Sequence, residues 1–168
     1  MASETGELTL RDGITLRTRS WSTSAAKGHV VLVHGVAEHS GRWEHVGDFL
    51  ADRGYDVSAY DWRGHGESGG PRAHADTFEH MVDDLEEMIR DVGGDQPLFV
   101  YGHSGGGLIA AAYAVSEREQ PAGYVLSAPA LAADIPLPFR VAAKILPKFA
   151  PKLRLKNPIN GDHLSRDP

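Results

Sequence analysis

The sequence contains no cysteine, and this absence excludes two kinds of structure. Without thiols the chain can form neither the disulfides of a stapled secreted domain nor a thiolate metal site. Long hydrophobic runs are missing too, since no stretch approaches the ~20 apolar residues of a membrane-spanning helix. The first thirty residues are polar and lack the apolar segment of a signal peptide. The cytoplasm is therefore the expected location.

An excess of positive charge is also absent. The net charge of −6 argues against nucleic acid as a partner, because phosphate binding depends on clustered lysine and arginine. The nine histidines form no H-E-x-x-H pattern with carboxylates, so neither a metal nor a cofactor is expected. An apolar fraction of 41% over 168 residues is typical of a folded chain with a single core.

Short apolar segments alternate with helical periodicity along the chain. An antiparallel hairpin is predicted for residues 7–10 and 14–21, and buried strands for His29–Val33, Asp56–Tyr60, Leu98–Tyr101 and Tyr124–Ser127. Helices are predicted to follow Trp43, to run from Phe78 to Val92 with Asp76 as the capping residue, and to span Gly105–Ser116. This alternation predicts an α/β fold whose functional loops follow the carboxyl ends of the strands.

The segment Gly102–Gly106 matches the G-x-S-x-G pattern, in which a strand turns sharply into a helix and exposes a serine. Ser104 is the candidate nucleophile, with His103 beside it. Side chains at the flanking glycines, Gly102 and Gly106, would collide with neighbouring backbone in such a turn. The alternative is a glycine-rich structural turn, but the predicted strand before it and the helix after it favour the nucleophile.

His34, Gly35 and Val36 come directly after the first buried strand. A serine that cleaves esters needs donors for the oxyanion, and in this arrangement they are two backbone N–H groups. The backbones of Val36 and Gly105 are the candidates. His34 is interpreted as a residue that braces this loop, with the alternative that it is a catalytic base.

The segment Gly64–Gly69 satisfies the dinucleotide-binding pattern G-x-G-x-x-G. That pattern has to open a helix, whereas Gly70 and Pro71 follow here and the next helix begins only near Thr77. Nucleotide binding is therefore not expected, and His65 is interpreted as a residue that stabilises the loop.

After Pro129 the strand rhythm stops and prolines recur, which divides the chain into a core, residues 1–130, and an incomplete cap, residues 131–168. The segment 135–156 holds six lysines and arginines and no acid. Apolar residues recur at the same spacing, so this segment has the character of a helix lying on an anionic membrane surface. An ordinary cap helix with its lysines in water is the equal alternative.

Three segments, His34–Trp43, Asp61–Ser68 and Gly102–Gly106, resemble the signatures of monoacylglycerol lipases and related lysophospholipases, which are serine aminopeptidase S33-like hydrolases. Glu38–Arg42 is the most specific part. The resemblance implies the α/β-hydrolase fold: a mostly parallel sheet with helices on both faces, an N-terminal antiparallel hairpin and a cap. One departure is Gly105, where many members carry methionine, and we expect it to change packing around the pocket more than the mechanism.

The resemblance also implies a small-molecule lipid ester as substrate and a Ser, Asp, His triad in that chain order. Only 168 − 104 = 64 residues follow Ser104, so the triad Asp and His are expected outside this chain, which is then truncated and inactive alone. Within the chain, only His163 with Asp134 or Asp162 offers an alternative. A peptidase, an acyltransferase or a non-catalytic binding protein of this fold also remain open, as do chain-length preference and oligomeric state.

Overall fold

A computed structural model describes residues 3–132, which belong to one compact unit, Met1–Ala132. The strands are β1 (Glu4–Thr9), β2 (Thr15–Trp21), β3 (His29–Val33), β4 (Asp56–Tyr60), β5 (Leu98–His103) and β6 (Gly123–Ser127). The helices are α1 (Glu44–Ala51), preceded by a short 3-10 helix (Ser40–Trp43), then α2 (Phe78–Val92) and α3 (Gly105–Ala114). The cap predicted for 131–168 lies outside these residues, apart from its first two positions.

The strands form one sheet in the order β1-β2-β4-β3-β5-β6. Strands β4, β3, β5 and β6 run parallel to one another, whereas β1 pairs with β2, and β2 with β4, in antiparallel fashion. The predicted fold class, a mostly parallel sheet with an N-terminal antiparallel hairpin, is confirmed. Because the parallel strands share one direction, the loops that follow them meet at a single edge of the sheet.

The hairpin has different bounds from those predicted. Its strands are Glu4–Thr9 and Thr15–Trp21, because a backbone hydrogen bond of 2.8 Å from Leu10 N to Ile14 O closes the loop outside both strands. Gly13 occupies the loop with a φ of 86°, a conformation that favours glycine. This turn connects the two strands of the hairpin.

Alternate residues of β3 pack on opposite faces of the sheet, which explains its uninterrupted run of apolar residues. Val31 and Val33 belong to the cluster under α2 and α3, and Val30 and Leu32 to the cluster under α1. Helices thus cover both faces, as predicted. Each face contributes its own apolar core.

Helix α2 begins at Phe78, as predicted, but its capping residue differs from the predicted one. Thr77 is the extended residue before the helix, and its hydroxyl accepts a hydrogen bond of 3.4 Å from His80 N. The prediction of Asp76 as the cap is wrong, because that carboxylate lies 3.2 Å from His74 Nε2 instead. None of the described helices is long and apolar enough to cross a membrane.

Candidate active site

Ser104 lies at the sharp turn between β5 and α3, with φ 51° and ψ −115°. A non-glycine residue rarely adopts this backbone conformation and holds it only when its surroundings enforce it. Here Ser104 N donates to Ser127 O at 3.0 Å, while Ser104 O accepts from Leu108 N and Ala130 N. Hydrogen bonds from a neighbouring strand, the helix and the loop after β6 therefore hold the strained residue in place.

The glycines on both sides of Ser104 are required by close approaches of the backbone. A Cβ atom on Gly102 would lie 2.5 Å from Gly106 O, and one on Gly106 would lie 2.1 Å from Val33 O. These neighbours are backbone atoms, which cannot rotate away as a side chain can. The elbow therefore packs directly against the end of β3.

His103 connects the elbow to the next strand. Its Nδ1 atom lies 3.1 Å from Ser127 Oγ, and its ring lies 5.5 Å from the ring of Trp43. Strand β5 extends to this residue, beyond the predicted end at Tyr101, because His103 pairs with Ser127 of β6. The residue before Ser104 is therefore held by both its backbone and its side chain.

Two backbone donors lie next to Ser104. Val36 N is 3.4 Å from the position that a Cβ atom on Gly105 would take, and a Cβ on Gly35 would lie 3.3 Å from Ser104 Cβ. Within residues 3–132, the N–H groups of Val36 and Gly105 have no hydrogen-bond acceptor. Gly105 is also the first residue of α3, where the helix dipole favours negative charge. The pair can stabilise an oxyanion that forms at Ser104.

The loop that carries Val36 is braced by buried polar contacts. Glu38 Oε2 accepts a hydrogen bond of 2.9 Å from Gly35 N. His34 Nε2 accepts a bond of 3.0 Å from Trp62 N, so its Nδ1 carries the proton and donates to Gly35 O at 2.7 Å. Burial lowers the pKa of His34 to about 4, and the ring is neutral at physiological pH. Both ring nitrogens bind backbone groups, so His34 serves as a brace in this structure.

Asp61 joins the loops after β3 and β4. Its carboxylate accepts hydrogen bonds from Ser40 N at 2.6 Å and from Glu67 N at 2.8 Å. Burial acts to raise the pKa of Asp61, but these hydrogen bonds outweigh it and hold that pKa below its usual value. Sequence reasoning missed this role, although the position directly after a buried strand was a signal for it.

The loop Gly64–Gly69 surrounds the Asp61 carboxylate rather than opening a helix. Gly66 has a φ of 46°, and a Cβ atom there would overlap Asp61 Oδ2. His65 Nδ1 lies 3.2 Å from Arg63 O within the same loop. The next helix begins only at Phe78, as the sequence predicted.

A buried ion pair, also missed from the sequence, links this loop to α2. Arg63 Nε donates to Asp84 Oδ2 at 2.7 Å, and Arg63 Nη1 reaches Asp12 Oδ2 at 2.9 Å. Burial raises the pKa of Asp84, while the Arg63 guanidinium acts to lower it. Helical periodicity gave no signal for this contact, because the three residues are far apart in the sequence.

A cavity of about 340 Å³ opens beside Gly105. Its lining is largely apolar and includes Val36, Trp62, Phe78, Met81, Leu108 and Ile109. Val36 is 61% exposed and Phe78 46% exposed, which is unusual for large apolar side chains. The candidate oxyanion hole and the cavity share two residues, Val36 and Gly105, and so form one continuous site.

No histidine among residues 3–132 is hydrogen-bonded to the Ser104 hydroxyl. The described part of the chain also holds no group of three or more residues suited to binding a metal ion. The alternative triad residues Asp134, Asp162 and His163 lie outside the described range. The structure thus brings together a strained serine and two free donors, and leaves the acid and the base unassigned.

Comparisons with known proteins identify relatives of this chain. The family model described as serine aminopeptidase, S33 matches residues 24–168. A monoacylglycerol lipase of Mycolicibacterium smegmatis is 42% identical over 84% of this chain and 52% of its own, and a human monoglyceride lipase is 36% identical over 93% and 54%.

A crystal structure of the monoacylglycerol lipase of Paleococcus ferrophilus matches with a TM-score of 0.81 and 37% identity. That match covers 90% of this chain and 58% of the other. The chain therefore spans little more than half the length of each of these three relatives.

Proposed function

The chain belongs to the serine aminopeptidase S33 family of α/β hydrolases, and from that membership we propose that it carries the nucleophile of a carboxylic ester hydrolase. The proposed substrates are monoacylglycerols or lysolipids. The observation that carries the proposal is the strained Ser104 beside two backbone N–H groups without acceptors. Such donors are aimed at charge that develops during ester cleavage and do not have to reorganise when it forms.

In the proposed reaction, Ser104 Oγ attacks the ester carbonyl carbon and transfers its proton to a general base. The carbonyl oxygen becomes an oxyanion held by the N–H groups of Val36 and Gly105. Collapse of this intermediate expels the alcohol, which takes the proton from the base, and leaves an acyl-serine. Water then attacks the acyl-serine and releases the fatty acid.

The general base and its acid partner lie outside residues 3–132 in this proposal. Two observations support it: residues 3–132 offer no histidine bonded to Ser104, and the chain spans about half the length of its relatives. On this basis the 168-residue chain alone turns over ester slowly or not at all. His163 with Asp134 or Asp162 stays the alternative within the chain.

The three relatives named above are lipases of monoacylglycerol or monoglyceride by their names, and the cavity beside Gly105 suits an apolar substrate. An aminopeptidase would instead need a carboxylate to bind the ammonium group of its peptide. The polar residues of the cavity are Arg63, His65 and His74, and no carboxylate lines it within residues 3–132. This lining favours the ester hydrolase over the peptidase.

Contact with a membrane surface through the basic segment 135–156 remains a part of the proposal. Its physical basis is the charge pattern of that segment alone, which lies outside the described residues. An ordinary cap helix remains the alternative, and a lipid ester can reach the site with either.

The proposal is tested with a fluorophosphonate probe, which reacts with activated serines. We expect the complete protein to be labelled once, to hydrolyse a monoacylglycerol, and to lose both properties in Ser104→Ala. Ser24→Ala, the same change at an exposed turn, is the matched control and should retain both. Intact-mass spectrometry measures the labelling.

Labelling and turnover by the complete protein but not by the 168-residue chain would support both the esterase and the external base. Labelling that survives Ser104→Ala would remove Ser104 as the nucleophile. A complete, folded protein that is neither labelled nor active would favour the non-catalytic binding protein.

A further inference from the structure

The turn after β6, residues 127–130, is hydrogen-bonded to both backbone groups of Ser104. Ser104 N donates to Ser127 O at 3.0 Å, and Ala130 N donates to Ser104 O at 3.0 Å. We propose that this turn sets the catalytic geometry at Ser104, and that Ala128 is its positioning residue through its left-handed backbone. This inference deepens the proposed function and rests on it for the identity of the reaction.

The two hydrogen bonds hold the peptide groups on both sides of Ser104. A trans peptide group is planar, and its C=O and N–H point in opposite directions. The carbonyl of Ser104 and the N–H of Gly105 belong to one such group, so the bond from Ala130 N also determines where the Gly105 N–H points. Leu108 N donates to the same Ser104 oxygen at 3.1 Å from within α3. The turn therefore acts on the nucleophile and on one of the two candidate oxyanion donors.

Ala128 holds a backbone conformation that alanine rarely adopts. Its φ is 43°, in the left-handed region, where the Cβ of an L-residue is sterically strained. The side chain of Ala128 is exposed, so its packing does not explain why the residue keeps this conformation. The constraint comes from both neighbours, because Ser127 pairs with β5 and Ala130 is bonded to Ser104. The left-handed residue allows a carbonyl before it and an N–H after it to reach the same serine.

Pro129 packs the turn against the beginning of α3. A Cβ atom on Gly107 would lie 2.8 Å from Pro129 Cβ and 2.9 Å from Pro129 Cα. The proline ring fixes its own φ and adds no freedom to the turn. Among residues 127–130, Ala128 therefore combines a strained backbone with an exposed side chain, which makes it the position to substitute.

Strained residues cluster at this edge of the sheet. Among residues 3–132, four non-glycine residues have a positive φ, and all four lie in loops that follow β3, β4, β5 and β6. Ala37, Ser104 and Ala128 follow three strands that are neighbours in the sheet. Such strain persists only where the surroundings enforce it, and it concentrates at functional sites. Ala128 carries no reacting group, so its strain serves the residue to which the turn is bonded.

Substitutions of Ala128 can separate backbone conformation from side-chain size. Ala128→Val introduces a β-branched residue, which disfavours the left-handed region, whereas Ala128→Asn introduces a side chain of more heavy atoms that tolerates it. Ala128→Thr is the milder β-branched change, and it decides the question if thermal melts show that Ala128→Val fails to fold. Ala122→Val makes the same change at an exposed residue before the other end of β6, where φ is not positive, and is the matched control.

The first measurement is kcat and KM for a monoacylglycerol in the complete protein. Loss of one oxyanion donor costs about 10²- to 10³-fold in kcat, so we expect Ala128→Val to lower kcat at least about tenfold and to leave KM within about twofold. Ala128→Asn should keep the wild-type kcat, and Ala122→Val should change neither value. A wild-type kcat in the folded β-branched variants would overturn the inference. An equal loss in Ala128→Asn would overturn it too, because side-chain size would then be the cause.

The second measurement does not depend on turnover. Labelling of serine carbonyls with ¹³C and of glycine with ¹⁵N selects the NMR signals of glycines that follow a serine, which in this chain are Gly41, Gly69 and Gly105. Ser104→Ala identifies the Gly105 signal by removing it. We expect this signal to shift in Ala128→Val and not in Ala128→Asn, while those of Gly41 and Gly69 stay in place.

The two measurements distinguish the inference from the proposed function. An unmoved Gly105 signal in the folded β-branched variants of an active enzyme would overturn the inference and leave the proposed function standing. A shifted Gly105 signal, in a protein whose wild type hydrolyses no ester, would support positioning by the turn and overturn the proposed function.

Discussion

The loops after β4 and β5 are both rich in glycine, yet they differ in what their polar groups do. In the loop after β4, the Asp61 carboxylate accepts two backbone N–H bonds and Arg63 is paired with Asp84. In the elbow after β5, the Gly105 N–H has no acceptor within residues 3–132, and the Ser104 backbone is strained. The polar groups of the loop after β4 are hydrogen-bonded within the chain, whereas the elbow keeps one N–H donor without an acceptor among the described residues.

This difference explains why the two glycine-rich loops, one after β4 and one after β5, have different roles. The glycines of the first loop allow it to fold around a carboxylate of the same chain. Those of the elbow allow a helix to begin immediately behind a serine and against the end of β3. Unsatisfied donors beside a strained residue, rather than glycine content, distinguish the proposed site of chemistry.

The largest expected effect comes from adding a side chain at the place where the elbow packs against the end of β3. Gly106→Ala would place a Cβ atom 2.1 Å from Val33 O, so the backbone of β3 or α3 has to move. We expect the free energy of unfolding to fall by about 4 kcal/mol or more, as for other severe core collisions. Urea denaturation of the purified variant measures this loss, and failure to fold would be its extreme form.

Gly94→Ala is the matched control for that collision. Gly94 has a φ of 99°, but no other atom lies within 4 Å of its added Cβ. Only backbone strain of about 1 kcal/mol is expected. Gly106 lies in α3 and has no positive φ, so a loss in Gly106→Ala no larger than that in Gly94→Ala would contradict the role of the close approach to β3.

The next effect concerns His34, the brace that connects the loop of Val36 to Trp62. Burial lowers the pKa of His34 from 6.5 to about 4, so between these values the unfolded chain binds a proton that the folded one excludes. The free energy of unfolding should therefore fall as the pH drops through this window, by up to roughly 3 kcal/mol. Urea denaturation at a series of pH values from 7.5 to 4 measures the slope.

His34→Gln removes the group that titrates and should flatten this slope relative to the wild type. His45→Gln, the same change at an exposed position, should leave it unchanged. His29, whose pKa burial also lowers, titrates in all three proteins and cancels from the comparison. Identical slopes in the wild type and His34→Gln would mean that the folded protein accommodates a charged His34.

The smallest effect is expected from a change in the loop after β4, which carries Asp61. Asp61→Asn keeps the shape of the side chain but turns an amide donor toward one of the N–H groups of Ser40 and Glu67. We expect the free energy of unfolding to fall by about 2 kcal/mol, which is within the range for hydrogen bonds to a charged group. Asp52→Asn, at the exposed end of α1, should change stability little. Comparable stability of the two variants would contradict the bracing role of Asp61.

Much of the fold was accessible from local patterns. The unalternating run of β3 predicted a strand covered on both faces, and the G-x-S-x-G segment predicted a turn that only glycine permits beside Ser104. The bounds of β5 were less accessible, because pairing of His103 with Ser127 extends the strand by two residues. The cap of α2 was missed because Asp76 and Thr77 are both good capping residues, and only the backbone decides between them.

By itself, the sequence determined the order of strands and helices and the sharp turn at Ser104, and it predicted the two backbone donors, because these depend on neighbours along the chain and on steric limits of single residues. Only the tertiary structure decided that Asp61, His34 and Arg63 act as braces and that Trp62 and Val36 meet over Gly105. Most of those contacts join residues that are roughly 20 to 70 positions apart in the chain, and side-chain packing between separate elements follows no local pattern. The cavity beside the oxyanion hole is a product of that packing.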